Sequence, residues 1–189
     1  MSLDTAALSA ALAKELGATN TPGAAIAVVS GDRVVYARGI GVANIETGTP
    51  VMPETLFRIG SVTKMFTGLT ALLLAGDVRL RFDAPISRYA TGLDPALGRI
   101  TLHQLLTHTG GVINEAAASG PHDDGALGER VRRWTATHVF APPGDIYSYT
   151  GPGYWLAGYA IEQAGGSWYA DLVAQRVLAP LRIETPGAR

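Results

Sequence analysis

Residues 57–74 read FRIGSVTKMFTGLTALLL, and within them a lysine follows a serine by three positions, in the tetrad SVTK at 61–64. A lysine is an unusual choice here, because the chain has only two lysines, Lys14 and Lys64, against thirteen arginines. Apolar residues at helical spacing predict a helix from about Ser61 to Leu74, with the apolar residues Met65, Phe66, Leu69, Leu72 and Leu73. Residues three apart share a helix face, so the side chains of Ser61 and Lys64 are expected to meet.

The spacing of Ser61 and Lys64 predicts a nucleophile and its base. A serine hydroxyl reacts poorly until a neighbour removes its proton. A guanidinium stays charged, whereas a buried amine can become neutral near pH 7, which explains a lysine in an arginine-rich chain. Free N–H groups at the helix start can stabilise an oxyanion. We expect the amine to lie in an apolar setting formed by Ile59, Val62, Met65 and Phe66. The plainer alternative is a serine N-cap followed by a solvated lysine.

The composition is that of a globular protein with room for one sizeable core. The chain has 189 residues, of which 47% are hydrophobic and 16% charged, with a formal net charge of −1. This balance offers no electrostatic case for binding nucleic acid or an anionic membrane, and the cluster Arg130, Arg132 and Arg133 indicates a solvated helix face. The chain has no cysteine, which excludes disulfides, thiolate metal sites and a cysteine nucleophile.

The first seventeen residues, MSLDTAALSAALAKELG, predict an amphipathic helix that ends at Gly17. They lack a basic region of the kind that starts a signal peptide, and no apolar run in the chain reaches the roughly 20 residues that a membrane span needs. The expectation is therefore a cytoplasmic protein without a membrane span.

Two β-rich runs, AAIAVVS at 24–30 and RVVYARGIGVAN at 33–44, flank the turn Gly31-Asp32 and predict an antiparallel hairpin. A lone hairpin is marginal in water, and a strand that is apolar on both faces is typical of the interior of a larger sheet. We therefore expect the hairpin edge to be exposed or paired with another chain.

Helices dominate the rest of the chain. TLHQLLTHTGG (101–111) predicts a short helix with Thr101 as N-cap and Gly110-Gly111 as its stop. Residues 116–126, AAASGPHDDGA, predict an exposed or mobile loop. Further helices are predicted near 127–137, 153–164 and 167–178.

The segment PPGDIYSYTGPGYWLAGYAIEQAGG (142–166) adds the aromatic residues Tyr147, Tyr149, Tyr154 and Trp155. Such a cluster is by itself typical of core packing. A tyrosine beside a lysine ammonium, however, has its phenolate favoured and can relay a proton to a leaving group.

In this order, FRIGSVTKMFTGLTALLL, LLTHTGG and PPGDIYSYTGPGYWLAGYAIE resemble the serine β-lactamase and penicillin-binding-protein superfamily. The likeness is closest to its class C β-lactamase, D-alanyl-D-alanine carboxypeptidase and esterase branch. The hairpin is similar to the first two strands of that family, and VLAPLRIET to the segment that closes its helical lobe. The resemblance implies an α/β (α+β) β-lactamase/transpeptidase-like fold. In it, 1–60 form a helix and hairpin, 61–181 a helical lobe, and 182–189 a truncated tail.

The resemblance also implies roles for individual residues. Ser61 would be the acylated nucleophile and Lys64 its base or proton partner. Tyr149 stands where the second family motif, Tyr-x-Asn, has its tyrosine, and it would help to deprotonate Ser61 and then protonate the departing group. The reaction is acyl transfer through an acyl-serine on an ester, amide or β-lactam, without a metal or organic cofactor.

Two departures limit this inference. Gly151, a candidate substrate-binding position, stands where the family has the asparagine that binds the substrate amide, and this favours simple esters over β-lactams. The third family motif, Lys/His-Thr/Ser-Gly, does not occur after Tyr149. We therefore expect the N-terminal portion of a larger enzyme. Alone it would be weakly active, and a C-terminal fragment or second chain would complete its sheet.

We also considered other types of active site. An α/β-hydrolase needs a G-x-S-x-G turn, which the sequence lacks. A Ser-His-Asp set would have to draw on the four histidines His103, His108, His122 and His138. His108 is expected to bond to backbone at a helix end, and His103 and His108 are wrongly spaced for zinc on one helix face. The alternative from another class is a non-catalytic pseudoenzyme or ligand-binding module on the same fold.

Overall fold

The computed structural model describes residues 3–115 and 123–183, and the chain divides into two compact units, 1–59 and 60–189. Most of the loop predicted at 116–126 falls on residues 116–122, outside the described residues.

The first unit begins with helix α1, Thr5–Thr19. The Asp4 side chain accepts a hydrogen bond from the Ala7 N–H at 2.9 Å and caps the helix. The predicted end at Gly17 is wrong by two residues, since the helix continues to Thr19 and ends at Asn20, whose φ is +52°. Asparagine tolerates this left-handed conformation and serves as the stop in place of glycine.

The sheet of this unit has three antiparallel strands in the order β1 (Gly23–Ser30), β2 (Arg33–Asn44) and β3 (Thr49–Pro50). The first two strands confirm the predicted hairpin, with its turn at residues 31 and 32. At Gly39 a Cβ atom would lie 2.0 Å from the carbonyl oxygen of Val51. Only glycine allows the chain that follows β3 to approach β2 so closely.

Within the described residues the edge of the hairpin is exposed, which is the first of the two outcomes expected from the sequence, although β1 is not buried as its apolar run would allow. No residue of β1 is buried, and Val29 is 62% exposed. The reason is topological: within residues 3–115 and 123–183, β1 pairs only with β2, so it is an edge strand.

The second unit is helical. Its helices are α2 (Thr63–Gly76), α3 (Pro95–Gly98), α4 (Leu102–Leu106), α5 (Ala126–Arg132), α6 (Gly151–Gly165) and α7 (Tyr169–Val173). A π-helical turn at Ala174–Leu178 extends α7. Thr101 caps α4 as predicted, in a reciprocal pair with Gln104, but α4 ends four residues before Gly110. Among the residues described, no helix combines the length and the apolar character that crossing a bilayer requires.

Helix α6 forms the centre of the core of the second unit. Its residues from Leu156 to Glu162 are all buried, and Leu156 and Ile161 have no exposed surface. Around them pack side chains from α2, α3, α4 and α5 and from the segments between α2 and α4, including Leu74, Leu80, Ile86, Leu97, Ile100, Leu105 and Val131.

The buried face of α2 differs from the predicted one. Its buried residues are Thr67, Thr70, Ala71 and Leu74. The two threonine hydroxyls donate to the carbonyls of Thr63 and Phe66 one turn earlier, at 3.2 and 2.8 Å. Their polar groups are thereby satisfied inside the core. Residues assigned to the apolar face from the sequence are instead exposed: Met65 by 68%, Leu69 by 39% and Leu72 by 59%.

The arginine cluster is not simply the solvated face that its charge indicated. Arg130 forms a 3.0 Å salt bridge with Glu115 and lies over the ring of Trp155. Arg132 donates to the Tyr159 hydroxyl at 3.0 Å. Arg132 and Arg133 are both exposed, as expected, and Arg130 is the half-buried member of the cluster.

Two leucine truncations test this description of the core. Leu156→Ala leaves a cavity at a fully buried site and is expected to lower the free energy of unfolding by about 2–5 kcal/mol. The same change at Leu72, which is 59% exposed, is expected to cost less than about 0.5 kcal/mol. Denaturant titration of both variants measures the difference, and equal losses would contradict the proposed burial.

Candidate active site

Ser61 lies in a 3₁₀ turn, Gly60–Val62, that leads directly into α2. The α-helix therefore begins at Thr63, two residues later than predicted. Gly60 has a φ of +52°, a left-handed conformation that a glycine adopts without strain. This turn leaves Ser61 exposed in front of the helix while Lys64, in the first helical turn, is half-buried.

The structure brings the three predicted catalytic side chains together. Lys64 Nζ donates to Ser61 Oγ at 3.1 Å, and Ser61 Oγ lies 2.5 Å from the Tyr149 hydroxyl. The serine oxygen is thus in contact with an amine on one side and a phenol on the other. The second contact joins residues 88 apart in the sequence.

The surroundings of the Lys64 amine are aromatic and not aliphatic. Its Nζ lies 4.8 Å from the ring centre of Tyr149 and 5.2 Å from that of Tyr154. Both distances are within the range of a cation–π contact. The aliphatic neighbours expected from the sequence are turned to solvent: Val62 is 49% and Met65 68% exposed.

His108 fixes the segment that carries Tyr149. Its backbone carbonyl accepts from the Ser148 N–H at 2.8 Å, and its ring Nδ1 accepts from the Thr150 N–H at 3.2 Å. Both chain neighbours of Tyr149 are therefore bonded to one histidine, whose ring also contacts the Tyr149 ring, with the ring centres 4.4 Å apart and the planes tilted by 38°. The prediction that His108 bonds to backbone is confirmed, but the sequence did not reveal that those bonds hold the residues on either side of Tyr149.

Gly151 begins α6, immediately after this segment. Its N–H donates to Asn114 Oδ1 at 3.3 Å, and a Cβ atom added to it would meet nothing within 4 Å. An asparagine amide is therefore present beside position 151, carried by a different loop. Neither Asn114 nor Tyr154 was assigned to the site from the sequence, and no local motif marks Asn114.

The site borders a cavity of about 530 Å³. Ser61, Lys64 and Gly151 lie on its wall together with residues from α2, α5, α6 and the start of α7: Thr63, Thr67, Leu127, Tyr154, Trp155, Gly158 and Tyr169.

The chain matches one protein family over nearly its whole length. The profile of the family described as Beta-lactamase matches residues 8–188, nearly the whole chain. The protein belongs to the beta-lactamase family. This confirms the resemblance seen in the sequence and, with it, the β-lactamase/transpeptidase fold.

Three relatives show how much of a family member this chain represents. It is 32% identical to esterase EstB of Burkholderia gladioli over 98% of this chain and 53% of that protein. It is 29% identical to penicillin-binding protein 4 of Amycolatopsis lactamdurans over 86% of this chain and 43% of the relative. An octameric penicillin-binding protein homologue from Pyrococcus abyssi superposes with a TM-score of 0.79 at 28% identity, over 95% of this chain and 43% of the other. The chain thus spans about half the length of its relatives.

Two groups of this beta-lactamase-family site have shifted pKa values. The pKa of the Tyr149 phenol is lowered, first by its polar contact with the Lys64 ammonium and then by the hydrogen bond with Ser61. The pKa of His108 is lowered mainly by burial, and the positive charge of Lys64 lowers it further. Lys64 thus lowers the pKa of both neighbours, as the largest cause for Tyr149 and as the smaller cause for His108.

The His108 shift yields a measurable pH dependence. We expect its imidazole to titrate below the ordinary pKa of 6.5, by NMR of the ring nitrogens. The unfolded chain then takes up the proton before the folded protein does, so stability from neutral His108 is present above pH 6.5 and is lost as the pH falls through the lower, folded pKa. Lys64→Met removes the positive charge, which is the smaller of the two causes, and should raise the His108 pKa only part of the way towards 6.5.

Lys14→Met is the matched control for that experiment, because Lys14 is the other lysine of the chain and lies exposed on α1. It should leave the His108 titration unchanged. A His108 pKa at or above 6.5, or equal effects of the two lysine substitutions, would contradict the assigned causes.

Proposed function

We propose that the protein is a serine hydrolase that acts through an acyl-Ser61 intermediate, with carboxylic esters as its preferred substrates. The observation that carries the proposal is the position of Ser61 Oγ, 3.1 Å from Lys64 Nζ and 2.5 Å from the Tyr149 hydroxyl. Its relatives are beta-lactamase-family hydrolases, among them esterase EstB.

In the proposed reaction Lys64 orients the Ser61 hydroxyl and Tyr149 accepts its proton. Because Lys64 donates to Ser61 Oγ, the Ser61 proton is free to point at the Tyr149 oxygen. Tyr149, with its pKa lowered, accepts that proton as Ser61 Oγ attacks the carbonyl carbon. The bond to the leaving alcohol then breaks, and Tyr149 returns the proton to the departing oxygen. Water completes the cycle by attacking the acyl-serine.

Backbone N–H groups near Ser61 supply part of the oxyanion stabilisation in this proposal. The first N–H groups of a helix have no partner within the helix, and Ser61 lies in the 3₁₀ turn that leads into α2. A second donor in this reaction would come from strands beyond those described, on the same chain or on another. The exposed edge of β1 supports the proposal that further polypeptide pairs there.

The labelling of Ser61 tests the proposed nucleophile without requiring full turnover. A fluorophosphonate should form an adduct that mass spectrometry locates at Ser61, and Ser61→Ala should abolish it. Lys64→Ala and Tyr149→Phe should each slow the reaction by roughly 100-fold to 10,000-fold, since each removes a group that moves or supports the proton.

The chain offers a matched control for each of these variants. Lys14→Ala removes the other lysine, and Tyr147→Phe removes a hydroxyl two residues from Tyr149 on a side chain that is 69% exposed. Both controls should react like the unaltered protein. Absence of any adduct, together with tight reversible binding of a ligand, would support the non-catalytic module instead.

Substitution of Gly151 tests the preference for esters. Gly151→Asn adds an amide where nothing lies within 4 Å of the new Cβ, at a helix start that needs no special backbone conformation. We expect it to raise the labelling rate with a fluorescent penicillin, relative to a fluorophosphonate, by roughly tenfold to 100-fold. Gly151→Ala adds the Cβ without the amide and should leave the ratio unchanged. An unaltered protein that already prefers the penicillin would contradict the assignment.

A further inference from the structure

The cavity beside Ser61 is polar at one end and apolar at the other. Ser61 and Lys64 lie at the polar end, next to Gly60 and Gly151. The other end is walled by Leu127 of α5, by Trp155 and Gly158 of α6, and by Tyr169. Cavities of this kind, mostly apolar with a few convergent polar groups, are typical of small-molecule sites.

The hydroxyl groups at the apolar end are already satisfied by the protein. Thr67 Oγ1 donates to the Thr63 carbonyl at 3.2 Å, so the 2.6 Å contact between Thr67 and Tyr169 is completed by the Tyr169 hydroxyl as donor. Nearer the polar end, the hydroxyl of Tyr154, whose ring lies 5.2 Å from Lys64 Nζ, is likewise satisfied by donating to the Leu106 carbonyl at 2.9 Å. These groups have no donor left to offer, so the far end of the cavity behaves as an apolar surface.

The residues that line the cavity also indicate that its far end is uncharged. Among the described residues that line the cavity, Lys64 is the only one with an ionised side chain, and it stands beside Ser61 at the polar end. Burial raises the pKa of Tyr169, which therefore stays neutral. A charged group that entered the far end would lose its water without gaining a partner.

The position of Tyr149 decides which half of a substrate fits this cavity. Among the described lining residues Ser61 and Lys64 are present, but Tyr149 is not. Because Tyr149 hands its proton to the leaving oxygen in the proposed reaction, the leaving alcohol lies on the Tyr149 side of Ser61. The acyl group therefore lies on the other side, where the cavity opens.

The path from Ser61 into the cavity passes Gly151, which has no side chain. Gly151 lies on the wall between Ser61 and Trp155, and it presents no Cβ to the cavity. At the far end, a Cβ on Gly158 would lie 3.3 Å from Leu127 and 3.6 Å from Tyr169, so the packing there leaves little space for a larger residue. Two glycines of the same helix, α6, thus lie on the cavity wall.

We propose that this cavity is the acyl-binding site, and that the substrates are esters of uncharged, apolar carboxylic acids whose acyl chain extends past Gly151 to Leu127 and Trp155. The inference rests on the proposed function and adds the substrate class. In the acylation step a bond forms between Ser61 Oγ and the acyl carbon while the bond to the alcohol oxygen breaks. The Ser61 proton passes through Tyr149 to that alcohol, and the acyl chain stays in the cavity.

A chain-length series tests the proposal at the acylation step. The rate of Ser61 acylation by nitrophenyl esters is measured from released nitrophenol with acetyl, butyryl, hexanoyl and octanoyl groups. Each methylene that enters the apolar end should raise the rate by up to roughly fourfold until the cavity is full. Rates that are independent of chain length, or that fall from acetyl onward, would overturn the proposal.

Leu127 provides the variant and Leu72 its control. Leu127→Trp reduces the space at the far end and should flatten the ratio of octanoyl to acetyl rates, a ratio that does not depend on the fraction of protein that is folded. Leu127→Ala should move the optimum to longer chains. Leu72→Trp makes the same change at an exposed position outside the cavity and should keep the original ratio. A ratio that is insensitive to both Leu127 variants would overturn the proposal.

A binding measurement separates failure of this inference from failure of the proposed function. The Ser61→Ala variant cannot be acylated at Ser61, and 2-octanone should still shift the NMR signals of the Leu127 methyl groups. If the native protein shows no acylation but the ketone binds there, the proposed function is wrong and the apolar site stands. If Ser61 is acylated but the ketone shifts nothing near Leu127, the acyl site is wrong and the hydrolase stands.

Discussion

The contact on which the rest of the site depends is the one between Ser61 Oγ and the Tyr149 hydroxyl, at 2.5 Å. The contact from Lys64 to Ser61 is local, since any helix that starts here would bring positions three apart together. The contact to Tyr149 crosses 88 residues and exists only because α2 and α6 pack against each other. The small buried residues Thr67 and Ala71 of α2 are part of that packing, as is the fully buried Leu156 of α6.

His108 fixes the position of the Tyr149 side chain. It is a non-glycine residue with a φ of +60°, a conformation that costs free energy and is found most often where other contacts hold it in place. The two hydrogen bonds to Ser148 and Thr150 hold the chain on either side of Tyr149. Because the ring bond uses Nδ1 as an acceptor, it requires a neutral imidazole with its proton on Nε2. The lowered pKa of His108 is consistent with that requirement.

The sequence predicted the local parts of this molecule well and the long-range parts poorly. The hairpin, the cap at Thr101 and the approach of Lys64 to Ser61 follow from spacing, and all three are present. The prediction of the buried face of α2 was wrong because the helix is apolar on several sides. The face that is buried carries threonines whose hydroxyl groups are hydrogen-bonded to backbone carbonyls. Asn114 is beside Gly151 only through the fold, so no pattern in the sequence could have indicated it. Tyr149 was identified through the family resemblance and not from its neighbours.

The charged groups of the site are coupled through Lys64. Its polar contact is the main cause of the lowered pKa of the Tyr149 phenol. The same positive charge disfavours a second cation on His108. Lys64 is therefore the charge that both shifts share, although burial is the larger cause for His108. In the proposed mechanism its hydrogen bond to Ser61 Oγ leaves the serine proton directed at Tyr149, which is the group whose pKa Lys64 lowers most directly. One side chain thus orients the proton of the nucleophile and prepares the group that accepts it.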